Sequence, residues 1–306
     1  MAPVVIAEEV HAALAGHRPI VALESTIISH GFPRPRNAEV AALFEKKLRD
    51  QGVVPATIAV IDGVATVGLT GAELERIATD TSVIKVSARD LPVAMAQGMT
   101  GGTTVAAAAV LAARAGIRVF STGGLGGVHR GGSETYDESG DLTTLATTPI
   151  TVVAAGVKSI LDIPATLERL ETYNVTVVGY RTDRFPGFWL TDSGCPLDLR
   201  VDSPQEVAAV MAAADTLGQR SAVLVANPLP PDKQLDPQLH DRALASSLAE
   251  AEAAGVTGKD VSPFLLDAMR KATEGRSLEV NIDIAVNNIT VGGHIASAWA
   301  QHQRAT

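Results

Sequence analysis

The sequence predicts an α/β protein: a mixed, mostly parallel sheet covered by helices on both faces. Three observations carry that expectation. Short runs of aliphatic and β-branched residues alternate along the chain with longer stretches whose apolar positions recur at helical spacing. Strand and helix in alternation bury a sheet between two helical layers. Asp62-Gly63, set between Ile61 and Val64, is a two-residue hairpin signal that makes at least one strand pair antiparallel.

Taken in order, residues 19–23 read as a buried strand and 38–51 as the first amphipathic helix. Residues 56–61 form the next strand and lead through the hairpin to a helix over 71–79. That helix is announced by Thr70-Gly71-Ala72-Glu73, whose Thr and Glu have capping-box spacing. Strands at 83–86, 118–121, 150–154, 176–179 and 222–225 are bounded by turn residues. Helices at 103–115, 164–173 and 204–217 lie between them, the last opened by Ser203-Pro204-Gln205-Glu206 with Pro at the first helical position. In the tail, Leu278 to Val286 alternate like a strand, but Ile282, Val286, Ile289 and Gly293 fit a helix, and the helical spacing is preferred. The Pro-rich stretch 227–237 is too short to separate one domain from another, so a single domain over 1–306 is expected.

Composition narrows the function. The 306 residues are 46% hydrophobic, enough for a large core, yet nowhere do about 20 apolar residues run together as a membrane span requires. A net charge of −9 argues against coating a nucleic-acid polymer, which needs clustered Lys and Arg. It leaves room for a single nucleotide, since one phosphate needs only a few amides and a cation or two. One cysteine, Cys195, permits no internal disulfide, and the N-terminus shows no basic and apolar leader; a cytoplasmic enzyme is the simplest expectation.

Four stretches could carry chemistry. Glu24-Ser25-Thr26-Ile27-Ile28-Ser29-His30-Gly31 follows the first predicted strand, where open α/β sheets gather ligands; Glu24 is a candidate acid or base, or else a cap. Gly98 to Val105 opens a predicted helix with glycines that allow close backbone approach and amides that could hold an anion, although a plain Gly-rich loop would look the same. It matches neither a Walker A loop nor the dinucleotide fingerprint. Ser121 to Gly132 packs six glycines around His129-Arg130, a backbone that must turn sharply or lie against a ligand, with a plain surface loop as the alternative. Asp137-x-Ser139-x-Asp141 spaces hard oxygen ligands like half an EF-hand without the rest, which leaves a divalent ion held mainly by one aspartate and waters, Mn²⁺ or Mg²⁺ rather than zinc.

Two lysines complete the set. Five of the chain's seven lysines sit in polar surroundings, whereas Lys85, in Val83-Ile84-Lys85-Val86, and Lys158, after the apolar run 150–157, do not. An amine taken out of water favours its neutral form and can act as a nucleophile, so Schiff-base chemistry on a sugar carbonyl is the leading idea.

The stretches together closely resemble the pseudouridine-5′-phosphate glycosidases of the indigoidine synthase A-like family. The likeness rests on Glu24 to Gly31, Lys85-Val86-Ser87-Ala88-Arg89-Asp90-Leu91, Thr122 to Gly131, Asp137-x-Ser139-x-Asp141-Leu142 and Gly156-Val157-Lys158-Ser159-Ile160-Leu161-Asp162, and it runs on through Gly179-Tyr180-Arg181-Thr182-Asp183 to Asn281 and Asn287-Asn288. The resemblance implies a trimeric α/β/α sandwich that reversibly cleaves the C–C glycosidic bond of pseudouridine 5′-phosphate to uracil and ribose 5-phosphate. It puts the nucleophile on Lys158 and the proton donor on Glu24. Lys85, Thr104, Val105 and Ser139 match positions that hold the sugar phosphate, Gly140 and Asp141 fall in a substrate-contacting segment, and Thr122, His129 and Asn281 match contacts to uracil or the opened ribose. Asp137 matches the metal-binding aspartate, with Mn²⁺ expected and Mg²⁺ an acceptable substitute. Phe32, Arg34 and Ala155 depart from the family's usual Met, Tyr and Cys. A class I aldolase-like lyase on another sugar phosphate, or a nucleotide sensor without catalysis, would share the lysine and the phosphate loop.

Overall fold

The computed structural model of the chain describes residues 4–305 apart from 257, 259 and 260. Lys259, one of the five lysines in polar surroundings, lies outside the described residues. Strands β1 (Val5–Ile6), β2 (Ile20–Leu23), β3 (Val54–Ile61), β4 (Val64–Val67), β5 (Ile84–Val86), β6 (Gly101–Thr103), β7 (Val119–Ser121), β8 (Thr151–Ala154), β9 (Thr176–Tyr180), β10 (Arg200–Val201) and β11 (Val223–Ala226) form one sheet. Its order is β1-β4-β3-β2-β7-β8-β11-β9-β10, with β6 also on β3 and β5 on β6. Every pair is parallel except β3 with β4 and β3 with β6. The mixed, mostly parallel sheet is therefore as expected, and Asp62-Gly63 turns its hairpin with both residues at positive φ, 48° and 78°.

The helices are α1 (Glu8–Ala15), α2 (Thr26–Ser29), α3 (Arg36–Arg49), α4 (Gly71–Thr79), α5 (Leu91–Ala96), α6 (Val105–Ala115), α7 (Gly132–Thr135), α8 (Gly140–Leu145), α9 (Ile163–Thr172), α10 (Pro204–Thr216), α11 (Pro237–Ala253), α12 (Val261–Ala272) and α13 (Arg276–Ala305). Successive strand residues face opposite layers. Ala22, Val152, Ala154, Leu224 and Ala226 join the core under α1, α6, α8 and α11, whereas Val21, Leu23, Val153, Val223 and Val225 join the core under α3, α10 and α13. Both faces of the sheet are apolar because both are covered.

The tail is the helix α13, about 45 Å long at 1.5 Å per residue, running across the sheet. Glycine lets it lie close: a Cβ on Gly292 would meet Ser121 Oγ at 2.3 Å. Thr70 makes its capping box, accepting from the Glu73 amide at 3.3 Å while its own amide donates to Glu73 at 2.7 Å. Ser203 makes half of one, because the Glu206 carboxylate takes the Asp202 amide instead.

Two expectations need correction. The helix expected from residue 103 begins at Val105, because Gly101–Thr103 is spent as strand β6 between β3 and β5. Its glycines serve packing within the chain: a Cβ on Gly101 would meet Val86 Cγ2, and one on Gly102 would meet Ser29 Oγ, each at 2.3 Å. Lys85, expected to be withdrawn from water, is exposed on the short strand β5, whose Ile84 is also exposed while Val83 and Val86 are buried.

Candidate active site

Three parallel neighbours, β2, β7 and β8, end in register, with Leu23 beside Ser121 and Ser121 beside Val153. The chain leaving each strand supplies one group at the same edge: Glu24 after β2, Thr122-Gly123-Gly124 after β7, and Ala155 to Lys158 after β8. These segments are tied together by the amide of Ala155 donating to Gly123 O at 2.9 Å, Leu125 to Gly156 O at 2.9 Å and Lys158 to Leu125 O at 3.2 Å. The result is an open cleft with Glu24, Lys85, Thr122, Lys158, Phe188 and Asn281 on its walls. Ser262, Pro263 and Leu266 of α12 close one side.

Glu24 is 8% exposed. Burial raises its carboxyl above the usual range, because the charged form loses water; the Lys158 charge and the Thr122 hydroxyl, which donates to Oε1, pull it back only in part. A buried carboxyl whose hold on its proton is strengthened, lining one cleft with a half-buried amine, suits a proton donor paired with a nucleophile. Neighbouring Ser25 fixes the turn: its hydroxyl donates to Ile58 O at 2.6 Å and accepts from the Thr103 amide at 2.9 Å. Thr26 reaches Gly102 O at 2.9 Å. The first sequence motif thus ties the turn after β2 to β3 and β6 beside Glu24.

The groups expected to hold a phosphate gather where α6 and α8 begin, tied to β5 by the Thr104 amide, which donates to Val86 O at 2.9 Å. Thr104 caps α6, accepting from the Ala107 amide at 3.5 Å, and Val105 is the first helical residue, whose amide has no partner within the helix. Ser139 caps α8, and its Oγ accepts from the Asp141 amide at 3.2 Å. Gly140 lies close to Ser87, since a Cβ there would be 3.5 Å from Ser87 Oγ. Asp141 is buried and commits both carboxylate oxygens to backbone, accepting from Ala106 N at 3.0 Å and Gly126 N at 2.8 Å. It joins the α6 N-terminus to the glycine-rich loop.

That loop is cramped. A Cβ on Gly124 would sit 2.7 Å from the Phe188 ring, one on Gly126 2.2 Å from Ser139 Oγ, and one on Gly127 2.4 Å from Thr166 Oγ1. His129 Nδ1 stands 3.8 Å from Asp137 Oδ2. Burial depresses the His129 imidazole, with the charges of Lys158 and Lys85 acting in the same direction and Asp137 opposing them. Among the described residues no three His, Cys, Asp or Glu side chains converge on one point. With Ser139 used as a cap and Asp141 on backbone amides, Asp137 is the one carboxylate of the half-EF-hand pattern still available to an ion. Glu138 is engaged by Arg169 at 2.9 Å. A single carboxylate fits Mg²⁺ or Mn²⁺, which retain several waters, and does not fit zinc.

Besides Ser262, Pro263 and Leu266 of α12, two residues of the site carry no signal of their role in the sequence. Phe188, fully buried at φ +64°, packs edge-on to Trp189 with centroids 5.0 Å apart and presents an aromatic wall. Asn288 of α13 donates to Thr122 O and Gly123 O. In the sequence Asn288 figures only as part of a motif, and Phe188 carries no local signal that sets it apart from a core aromatic. Of the departures, Phe32 packs on Phe44, Arg34 donates to Ala78 O and Asp80 O at the end of α4, and Ala155 is buried. Cys195 is a half-buried free thiol, as expected.

A family model described as indigoidine synthase A like protein matches residues 9–298. The chain belongs to the indigoidine synthase A-like family. It is accordingly an enzyme. The chain is 62% identical over 296 residues to a pseudouridine-5′-phosphate glycosidase of Saccharopolyspora erythraea, covering 97% of this chain and 98% of that protein. A glycosidase of the same name from Frankia alni is 61% identical over 98% of this chain and 83% of its own length. Among solved structures, the prealnumycin C-glycosynthase AlnA in complex with ribulose 5-phosphate superimposes with a TM-score of 0.92 at 38% identity, over 99% of each chain. An indigoidine synthase A-like protein of Thermotoga maritima gives 0.87 at 33% identity, over 97% of each chain.

Proposed function

We propose that this enzyme reversibly cleaves the C–C glycosidic bond of pseudouridine 5′-phosphate, giving uracil and ribose 5-phosphate, through a Schiff base on Lys158. The observation that carries the reading is the buried Glu24 sharing one cleft with Lys158, with two helix N-termini and Lys85 nearby. The names of the relatives described above supply the substrate class.

A C–C glycoside offers no heteroatom to protonate at the bond that must break, so the acid-and-water route of ordinary glycosidases is closed. Attack of the Lys158 amine on C1′, with a proton delivered from Glu24 to the ring oxygen, opens the ribose and forms a C1′–N bond. The substituted ammonium so formed gives a proton back to the Glu24 carboxylate, and the freed nitrogen lone pair makes the C1′=N iminium as the C1′–C5 bond breaks. C5 of uracil keeps the electron pair and takes the proton from Glu24. Water adds to the iminium and releases ribose 5-phosphate, restoring the amine. Phosphate binding at Val105, Ser139 and Lys85 would fix C1′ against the amine, so that binding energy remote from the reacting bond lowers the barrier. Phe188 and Asn281 would face the base. Asp137 would hold a divalent cation, Mn²⁺ or Mg²⁺, which supplies positive charge near the substrate's oxygens. The trimer implied by the resemblance is the proposed assembly.

The test is turnover in both directions. Uracil released from pseudouridine 5′-phosphate, and pseudouridine 5′-phosphate formed from uracil plus ribose 5-phosphate, support the proposal. Activity only on another sugar phosphate would replace it with the aldolase-like reading, and ligand binding without turnover would leave a sensor.

A further inference from the structure

The buried amide of Asn288 has an arrangement that core packing alone does not require. It sits on α13 seven residues, or about two helical turns, after Asn281, and is 1% exposed. Its Nδ2 donates to two successive carbonyls, Thr122 O at 2.7 Å and Gly123 O at 3.0 Å, and its Oδ1 accepts from Asn227 Nδ2 at 2.9 Å. Only the nitrogen end of the amide can face two carbonyls, so the orientation is fixed and both donors are used. Asn227 is itself buried, and its amide N–H donates to Ala154 O at the end of β8.

Both carbonyls belong to the segment that holds the reacting groups. The Thr122 hydroxyl donates to Glu24, and Gly123 O also receives the Ala155 amide, three residues before Lys158. We infer that Asn288 is a positioning residue that sets Glu24 against Lys158 by clamping the Thr122-Gly123 peptide, an inference that rests on the proposed function. Without the clamp, the freed carbonyls reorient and the Thr122 hydroxyl leaves Glu24, while the other charges around Glu24 stay where they are: Lys158 after β8, Lys85 on β5 and Asp141 on α8. The hydroxyl favours the ionised carboxylate, so its loss makes Glu24 hold its proton to higher pH.

The experiment measures the pH dependence of kcat and KM for uracil release from pseudouridine 5′-phosphate by wild type, Asn288→Ala, Thr122→Val and the double variant. The expected result is a kcat loss of about tenfold to a hundredfold in Asn288→Ala with KM nearly unchanged. Its alkaline limb moves to higher pH, as in Thr122→Val, and the double variant is within about twofold of Thr122→Val. An unmoved pH profile, or losses that multiply in the double variant, would make Asn288 a structural residue and overturn the inference. Should Asn288→Ala not fold, Asn227→Ala must show the same displacement of the limb in smaller measure, and no displacement overturns it. A wild type that releases no uracil overturns the proposed function itself, and the positioning role with it.

Discussion

Glu24→Gln separates the chemistry of Glu24 from its packing. The substitution keeps the shape of a side chain that is 8% exposed and removes its ionisation. In the wild type, burial raises the carboxyl above its value of 4.5 in the unfolded chain, so the folded state binds the proton more tightly than the unfolded state does. That contribution to stability is complete below about pH 4.5 and is lost as pH rises through the folded-state value. Within this window the wild type should lose up to ~1.4 kcal/mol per pH unit relative to Glu24→Gln, and above it the gap should be constant. Urea unfolding of both proteins at pH 4.5 and pH 7.5, at constant ionic strength, reads the difference. The variant should be the more stable at pH 7.5 by a margin absent at pH 4.5, while kcat for uracil release falls by about 10²–10⁴. Equal stability differences at the two pH values would show that the folded state does not retain the proton, and the assignment of Glu24 as donor would lose its physical basis.

Other outcomes follow from single contacts. Gly124→Ala drives a methyl into the Phe188 ring, which Trp189 holds from behind; about 1–3 kcal/mol of stability should be lost and KM should rise, measured by thermal unfolding and initial rates. Asp141→Asn replaces one of two charge-assisted acceptors for the Ala106 and Gly126 amides with a donor and should cost roughly 1.5–3 kcal/mol by urea unfolding. Asp137→Asn should weaken Mn²⁺ binding by roughly tenfold or more in calorimetric titration with little change in thermal stability; unchanged Mn²⁺ affinity would remove Asp137 from the metal site.

How legible the molecule is depends on which physical signal each element carries. Both faces of the sheet are covered, so its strands are continuous apolar runs such as Val152-Val153-Ala154, which stand out from the helical spacing around them. Local chemistry also reads directly: Thr70 with Glu73, Asp62-Gly63, and the Ser203 cap before Pro204, whose Oγ accepts from Glu206 N at 3.2 Å. Pairing over long distances does not. Gly101–Thr103 has the composition of a loop and becomes a strand only because β3 and β5 are there to receive it. Strands of two residues, β1 and β10, and the Ala- and Ser-rich α11 carry too few apolar positions to register. Lys85 misleads because a three-residue edge strand shows the same apolar neighbours as a buried one. Lys158 stands out as a charge after an apolar run, and Glu24 as a carboxylate at the end of the first predicted strand. Asn288 and Phe188 do not, since what distinguishes them is what they touch across the fold.

Covalent catalysis by Lys158 can be trapped with borohydride during turnover of pseudouridine 5′-phosphate. Wild type, incubated with substrate and Mn²⁺, reduced and analysed by intact mass, should carry one ribose-phosphate adduct that peptide mapping places on Lys158, and Lys158→Ala should carry none. Uracil release by the wild type with no adduct, or with an adduct on another lysine, would exclude Lys158 as the nucleophile.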